Sequence, residues 1–281
     1  MQVDSCDGSF HLDHVNVYQN SKDMPKCDVV IVGLKTTNNH LLPELLPPLL
    51  HEHTVVVLIQ NGIGVEADVQ QMFPDVPLIG GLAFICSAKT EPGRVNHQCY
   101  GSINLANYSC KDEVTFENIL KDFTDAGIPA ASVPYDEARW KKAVWNMPFN
   151  GMTVALNTRT DLLLKNPSTR QLIRDLMMEV VEASRALGIS GVDEAFVEKM
   201  IQMTDEMTPY SPSMKLDFDF HRRWRSIFST PVPSRSPVLP AIACTSLRCL
   251  RPSSAFYRYN NNPPPVWRGS LLYLKRSCAN W

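Results

Sequence analysis

A chain of 281 residues that is 44% hydrophobic can bury one large or two modest cores, which argues against a disordered protein or a disulfide-stapled miniature. The formal net charge of −2 hides an asymmetry, because residues 221–281 hold ten Lys or Arg and no Asp or Glu, leaving the first 220 at −12. No apolar run reaches the length of a membrane span or of a signal-peptide core, so an intracellular, cytoplasmic protein without a membrane partner is expected.

In chain order, residues 28–34, 54–59 and 78–85 are short, unalternating, apolar runs followed by turn residues, and each reads as a buried strand of a parallel sheet. Between the first two, residues 39–50 carry leucines at helical spacing, with Pro43 acceptable only in a first turn. A short helix at 64–73 fits between the second and third strands. Strand and helix therefore alternate, as in a doubly wound α/β layer.

A second regime starts near Asp136. Residues 137–157, 167–187 and 192–207 place apolar side chains at i, i+3, i+4 and i+7, as Leu172, Leu176, Val180 and Val181 do. Asn166 and Pro167 start the middle helix as cap and first residue, and Gly188 closes it. The fold class expected is α/β: a parallel-sheet domain over 1–135 followed by an all-α domain over 136–220. Beyond Phe220 the pattern dissolves into Ser-Pro-Arg and Asn-Pro stretches without periodicity, and residues 221–281 are read as a tail unrelated to either domain.

Eight cysteines form no C-x-x-C pair and no regular spacing with histidine, so neither a metal site nor a disulfide framework is expected. Two strand ends attract notice. Asn61, in Gln60-Asn61-Gly62-Ile63-Gly64, stands where open α/β sheets bind ligands, although the motif by itself reads better as a plain Asn-Gly turn. Lys35 ends the first strand in the same way, where it could meet a phosphate or simply face water.

Lys142, Asn146 and Asn150 fall at i, i+4 and i+8 within Trp140-Lys-Lys-Ala-Val-Trp-Asn-Met-Pro-Phe-Asn150, so one helix face carries an ammonium and two amides. Asparagine disfavours helix interiors, and two of them aligned with a lysine need a reason. One reason is a polar stripe facing water. The other is a row that holds a small polar substrate while the lysine supplies a proton.

Taken in order, Val32-Gly-Leu-Lys-Thr36, Leu58-Ile-Gln-Asn-Gly62, the lysine–asparagine segment and Pro212-Ser-Met-Lys-Leu-Asp217 resemble the ketopantoate reductases (2-dehydropantoate 2-reductases). The similarity covers residues 3–220. It implies an incomplete Rossmann-like NADP-binding domain, then a helical substrate domain, and NADPH-dependent reduction of 2-dehydropantoate to (R)-pantoate in pantothenate synthesis. It further implies Lys142 as the catalytic lysine, Asn146, Asn150 and Ser213 as substrate contacts, and Lys35, Asn61, Ser87 and Ala88 as cofactor contacts. The expected partners are a small-molecule substrate and a second copy in a homodimer, with no nucleic acid.

The sequence also departs from that family. It has no G-x-G-x-x-G turn, and its opening resembles sequence some forty to fifty residues into a family member. The first βαβ unit is thus expected to be missing, leaving the strands at Val29 and Val55 with an apolar edge prone to aggregation. Arg225 stands where the family carries a glutamate, and the basic tail fits a frameshift or mis-spliced exon after about Phe220 better than a nucleic-acid-binding arm. Little activity is expected from the polypeptide as written. The alternatives are a non-catalytic family remnant and a reductase of another 2-oxo acid.

Overall fold

The structure is a computed structural model and describes residues 1–221. The tail and Arg225 lie outside the described residues. The chain divides into two compact units, with the boundary between Arg139 and Trp140.

The first unit is built on a mixed sheet. Its strands are β1 (Gln2–Ser5), β2 (Phe10–His11), β3 (Val29–Val32), β4 (Val55–Leu58), β5 (Leu78–Glu91), β6 (Arg94–Asn107) and β7 (Ala130–Ser132). Six of them follow the order β2-β1-β6-β5-β4-β3, and β7 pairs with β6. The pairs β3–β4 and β4–β5 are parallel, as the three apolar runs predict.

β4 shows why those runs carry no alternation. Val56 and Leu58 pack on one face with Leu42, Leu46, Val65 and Val69, while Val55 and Val57 pack on the other with Phe116 and Ile119. A strand covered on both faces needs an apolar residue at every position. Each such side chain contributes about 1.5–3 kcal/mol of burial.

Only part of the expected edge is present. Among the described residues β3 pairs with β4 alone and leaves Ile31 53% exposed, but the Val55 strand is flanked by β3 and β5. The sheet also holds antiparallel members. β5 runs well past the expected end at Ile85 and turns through Pro92-Gly93 into β6. Gly93 has φ 76°, the left-handed value required at the second central residue of such a turn.

The predicted 39–50 helix is broken. A 3-10 segment (Thr36–Leu41), one turn of helix α1 (Leu42–Leu45) and a second 3-10 segment (Pro47–Leu49) replace it. Pro43, Pro47 and Pro48 have no N–H to donate, so no continuous α-helical ladder can form. Helix α2 (Val65–Met72) falls where expected, and α3 (Glu113–Asp125), which the sequence reading leaves out, is capped by the Asp112 carboxylate accepting from the Val114 amide.

Helix α4 (Tyr135–Ala155) begins in the first unit and continues into the second. It runs through Pro148, which has no N–H to donate to the Val144 carbonyl. The second unit adds α5 (Thr160–Lys165), α6 (Pro167–Ala186), α7 (Glu194–Glu206) and α8 (Ser213–Asp219), and no strand among the described residues. Asn166 caps α6 as predicted, its Oδ1 accepting from the Ser168 and Thr169 amides. Ile173, Met177 and Val181 are completely buried on one α6 face. On its exposed side Arg170 makes a forked ion pair to Asp205 of α7, at 2.8 and 2.7 Å.

Candidate functional site

In the first unit the loops after β3 and β4 are tied by one side chain. Gln60, 2% exposed, donates from Nε2 to the Leu34 carbonyl at 2.6 Å and to Asn39 Oδ1 at 2.8 Å. Asn39 answers weakly, donating to Gln60 Oε1 at 3.4 Å. Lys35 follows Leu34 and Asn61 follows Gln60, so this amide brings the two predicted cofactor contacts to neighbouring strand ends. Both are half-buried. Gly62 and Gly64 then adopt φ 127° and 82°, which a side chain would resist, and α2 starts immediately afterwards.

Beneath this loop lies a buried charge network absent from the sequence reading. Glu66, completely buried in the first turn of α2, pairs with Arg139, and its Oε2 accepts from the Tyr135 hydroxyl at 2.6 Å. Arg139 also donates from Nη1 to the Gln60 carbonyl at 2.7 Å, one residue before Asn61. Burial, and secondarily the Glu66 charge, pushes the Tyr135 phenol far above its ordinary pKa, so it acts as a permanent donor. Room for the Glu66 carboxylate comes from Gly80 of β5, where a Cβ would meet Oε1 at 2.8 Å. Glycine 81 makes the same concession to Ile59. The available sequence signals were an acid directly after the apolar Val65 and a Gly-Gly pair inside a strand.

Ser87 and Ala88 do not follow the third strand. They lie within β5, exposed and half-buried respectively, opposite His97 and Asn96 of β6. Leu58 pairs with Gly80, so β5 has run seven further residues when it reaches Ser87. The tie made by Gln60 does not include them.

In the second unit, Lys142, Asn146 and Asn150 share a face of α4 and all three are half-buried, between the buried Ala143, Val144, Met147 and Phe149. The row is therefore not a fully solvated stripe. Trp145 stacks on Phe149 at 4.9 Å and donates from Nε1 to Thr204 Oγ1 at 2.9 Å, which fixes the rotation of α4 against α7. Asn150 Oδ1 accepts from the Met214 amide at 3.4 Å. This contact holds the start of α8, and hence Ser213, beside Asn150, and among the described residues the Asn150 NH2 group is left available as a donor.

A sheet whose parallel members end in a glycine-lined turn, followed by a helical unit, is a frame that suits a pyridine-nucleotide-dependent oxidoreductase, and comparison with known proteins shows that class. The family described as ketopantoate reductase PanE/ApbA matches residues 1–109, and its C-terminal part, ketopantoate reductase PanE/ApbA C terminal, matches residues 135–224. The 2-dehydropantoate 2-reductase of Nostoc sp. is 42% identical over 256 residues, covering 86% of this chain and 79% of that protein. The crystal structure of 2-dehydropantoate 2-reductase from Geobacter metallireducens superposes with a TM-score of 0.78 at 30% identity, over 99% of this chain and 86% of the other. That from Methylococcus capsulatus gives 0.73 at 29% identity, over 89% and 84%. The chain belongs to the ketopantoate reductase family. Among the described residues no helix is long and apolar enough to cross a membrane.

Proposed function

We propose that this chain reduces 2-dehydropantoate to (R)-pantoate with NADPH. NADPH, when bound, supplies the hydride for the C2 carbonyl. The residues that suit it are Lys35, whose ammonium matches a phosphate, and Asn61, whose amide follows the loop fixed by Gln60 and Arg139. Gly62 and Gly64 add backbone without side chains at the same strand end.

Lys142 is the catalytic residue in this reading. Its ammonium polarises the keto oxygen and gives its proton to the alkoxide as that charge develops, the point at which a preoriented cation lowers the barrier most. Asn146 and the Asn150 NH2 group orient the substrate, and the Ser213 hydroxyl binds its polar end. The observation that carries the proposal is the Asn150–Met214 hydrogen bond, which brings two of these substrate contacts together at residues far apart in sequence. A homodimer is proposed as the assembly.

The test is NADPH oxidation on adding 2-dehydropantoate. Only slow turnover is expected, and Lys142→Ala should lower kcat about 100-fold or more with little change in Tm. If NADPH leaves the Tm unmoved and the keto acid is not reduced, the proposal is overturned.

A further inference from the structure

A second group of chemically active side chains gathers where β1 meets β6. The two strands are parallel neighbours with Ser5 opposite His97, and the Cys6 amide donates to the His97 carbonyl at 3.0 Å. Cys6 and Asp7 begin the turn after β1 and are thereby held against the histidine. The thiol sulfur, an Asp7 carboxylate oxygen and an imidazole nitrogen all lie within 4.8 Å of one another.

The imidazole is set for coordination. His97 Nε2 lies 2.6 Å from the Tyr100 carbonyl, and a carbonyl can only accept, so Nε2 carries the proton and Nδ1 the lone pair. Nδ1 points to Ser5 Oγ at 2.9 Å, a hydroxyl able to donate, and toward Asp7 Oδ2 at 3.9 Å. A carbonyl behind one ring nitrogen fixes the ring as in metal-binding histidines, and the other nitrogen is held by a hydroxyl that an arriving ion would have to displace. The backbone is bent to make it: Tyr100 adopts φ 64° and Gly101 φ 143°, and the β5–β6 register slips between Phe84 and Ile85 and again between Cys86 and Ser87. Left-handed backbone at a non-glycine residue persists only where its surroundings fix it. At Gly101 a Cβ would stand 3.5 Å from the imidazole Cε1, an ordinary contact distance, so the bent backbone packs beside the ring.

We infer that Cys6, Asp7 and His97 bind a divalent transition-metal ion of the zinc type. A lone pair, a carboxylate and a thiol converging on one point suit a borderline-soft cation with N, O and S donors. Binding replaces the thiol proton by the metal and releases that proton to solvent, with no change of oxidation state. Three protein ligands leave one tetrahedral corner for water. The ion would fasten the turn after β1 to the bent part of β6. Sequence spacing gives no hint of this, because Cys6 and His97 meet only through the β1–β6 ladder.

The test is Co2+ titration of the full chain, followed by Zn2+. A thiolate-to-cobalt charge-transfer band should grow to one equivalent, disappear when Zn2+ displaces cobalt, and be lost in Cys6→Ser but kept in Cys27→Ser. His97→Gln should weaken binding at least tenfold. Asp7→Asn, at an exposed position that leaves the strand pairing intact, should weaken it with the circular dichroism unchanged. No thiolate band with Co2+, or a band that survives Cys6→Ser, would overturn the proposal.

Discussion

The two units assemble their candidate residues by opposite means. In the second unit a single helix presents Lys142, Asn146 and Asn150 through its own repeat, and tertiary structure adds one contact from the start of α8. In the first unit nothing about Asn61 is local: its loop is held by Gln60 reaching Leu34 and Asn39, and by Arg139 reaching Gln60 and Glu66. A site built on helical spacing tolerates loss of a neighbour, whereas one built on a buried network depends on every member.

The largest effect that would test this contrast is expected at the buried ion pair. Arg139→Met leaves the Glu66 carboxylate buried beside Tyr135 without its cation, and should cost about 3–5 kcal/mol in urea unfolding. Replacing both partners, Glu66→Leu with Arg139→Met, should recover most of that loss, because the uncompensated charge is gone. A cost under about 1 kcal/mol for the single variant would show that the network does not carry the loop. Gln60→Leu comes next. It strands the Leu34 carbonyl and the Asn39 amide, should cost about 2 kcal/mol, and should raise the KM for NADPH more than it lowers kcat. Equal losses in both parameters would mean that Gln60 does not act on cofactor binding. The smallest effect belongs to the helical unit, where Asn166→Ala removes one cap and should lower stability by about 1 kcal/mol without touching KM.

The same contrast explains what was legible in the sequence. The β4 run and the α6 start were legible because each is written in consecutive residues: four apolar side chains in one case, Asn166-Pro167 in the other. Lys142, Asn146 and Asn150 were visible as a row for the same reason. The β5–β6 hairpin was not, since its outer half exposes Ser87, Lys89 and Glu91 and carries no apolar pattern. Helix α3 did offer a signal, with Phe116, Ile119, Leu120 and Phe123 at helical spacing behind Asp112. Glu66, Arg139 and Tyr135 could not be paired from spacing, because a buried contact between an acid and a distant base leaves no periodic trace. The 39–50 segment misled because leucine spacing favoured a helix that its three prolines forbid.

The paired glycines of β5 set a limit on how this protein can vary. An alanine at position 80 would drive its methyl against the Glu66 carboxylate, and one at 81 would meet Ile59 Cγ1 at 2.9 Å, with the Ile59 main chain close behind. Neither neighbour can retreat, because Glu66 is locked by two partners and Ile59 belongs to the tied loop. Mutational drift at these two positions is therefore closed off by the absence of any space for even the smallest side chain, and a library randomised across β5 should return glycine at both.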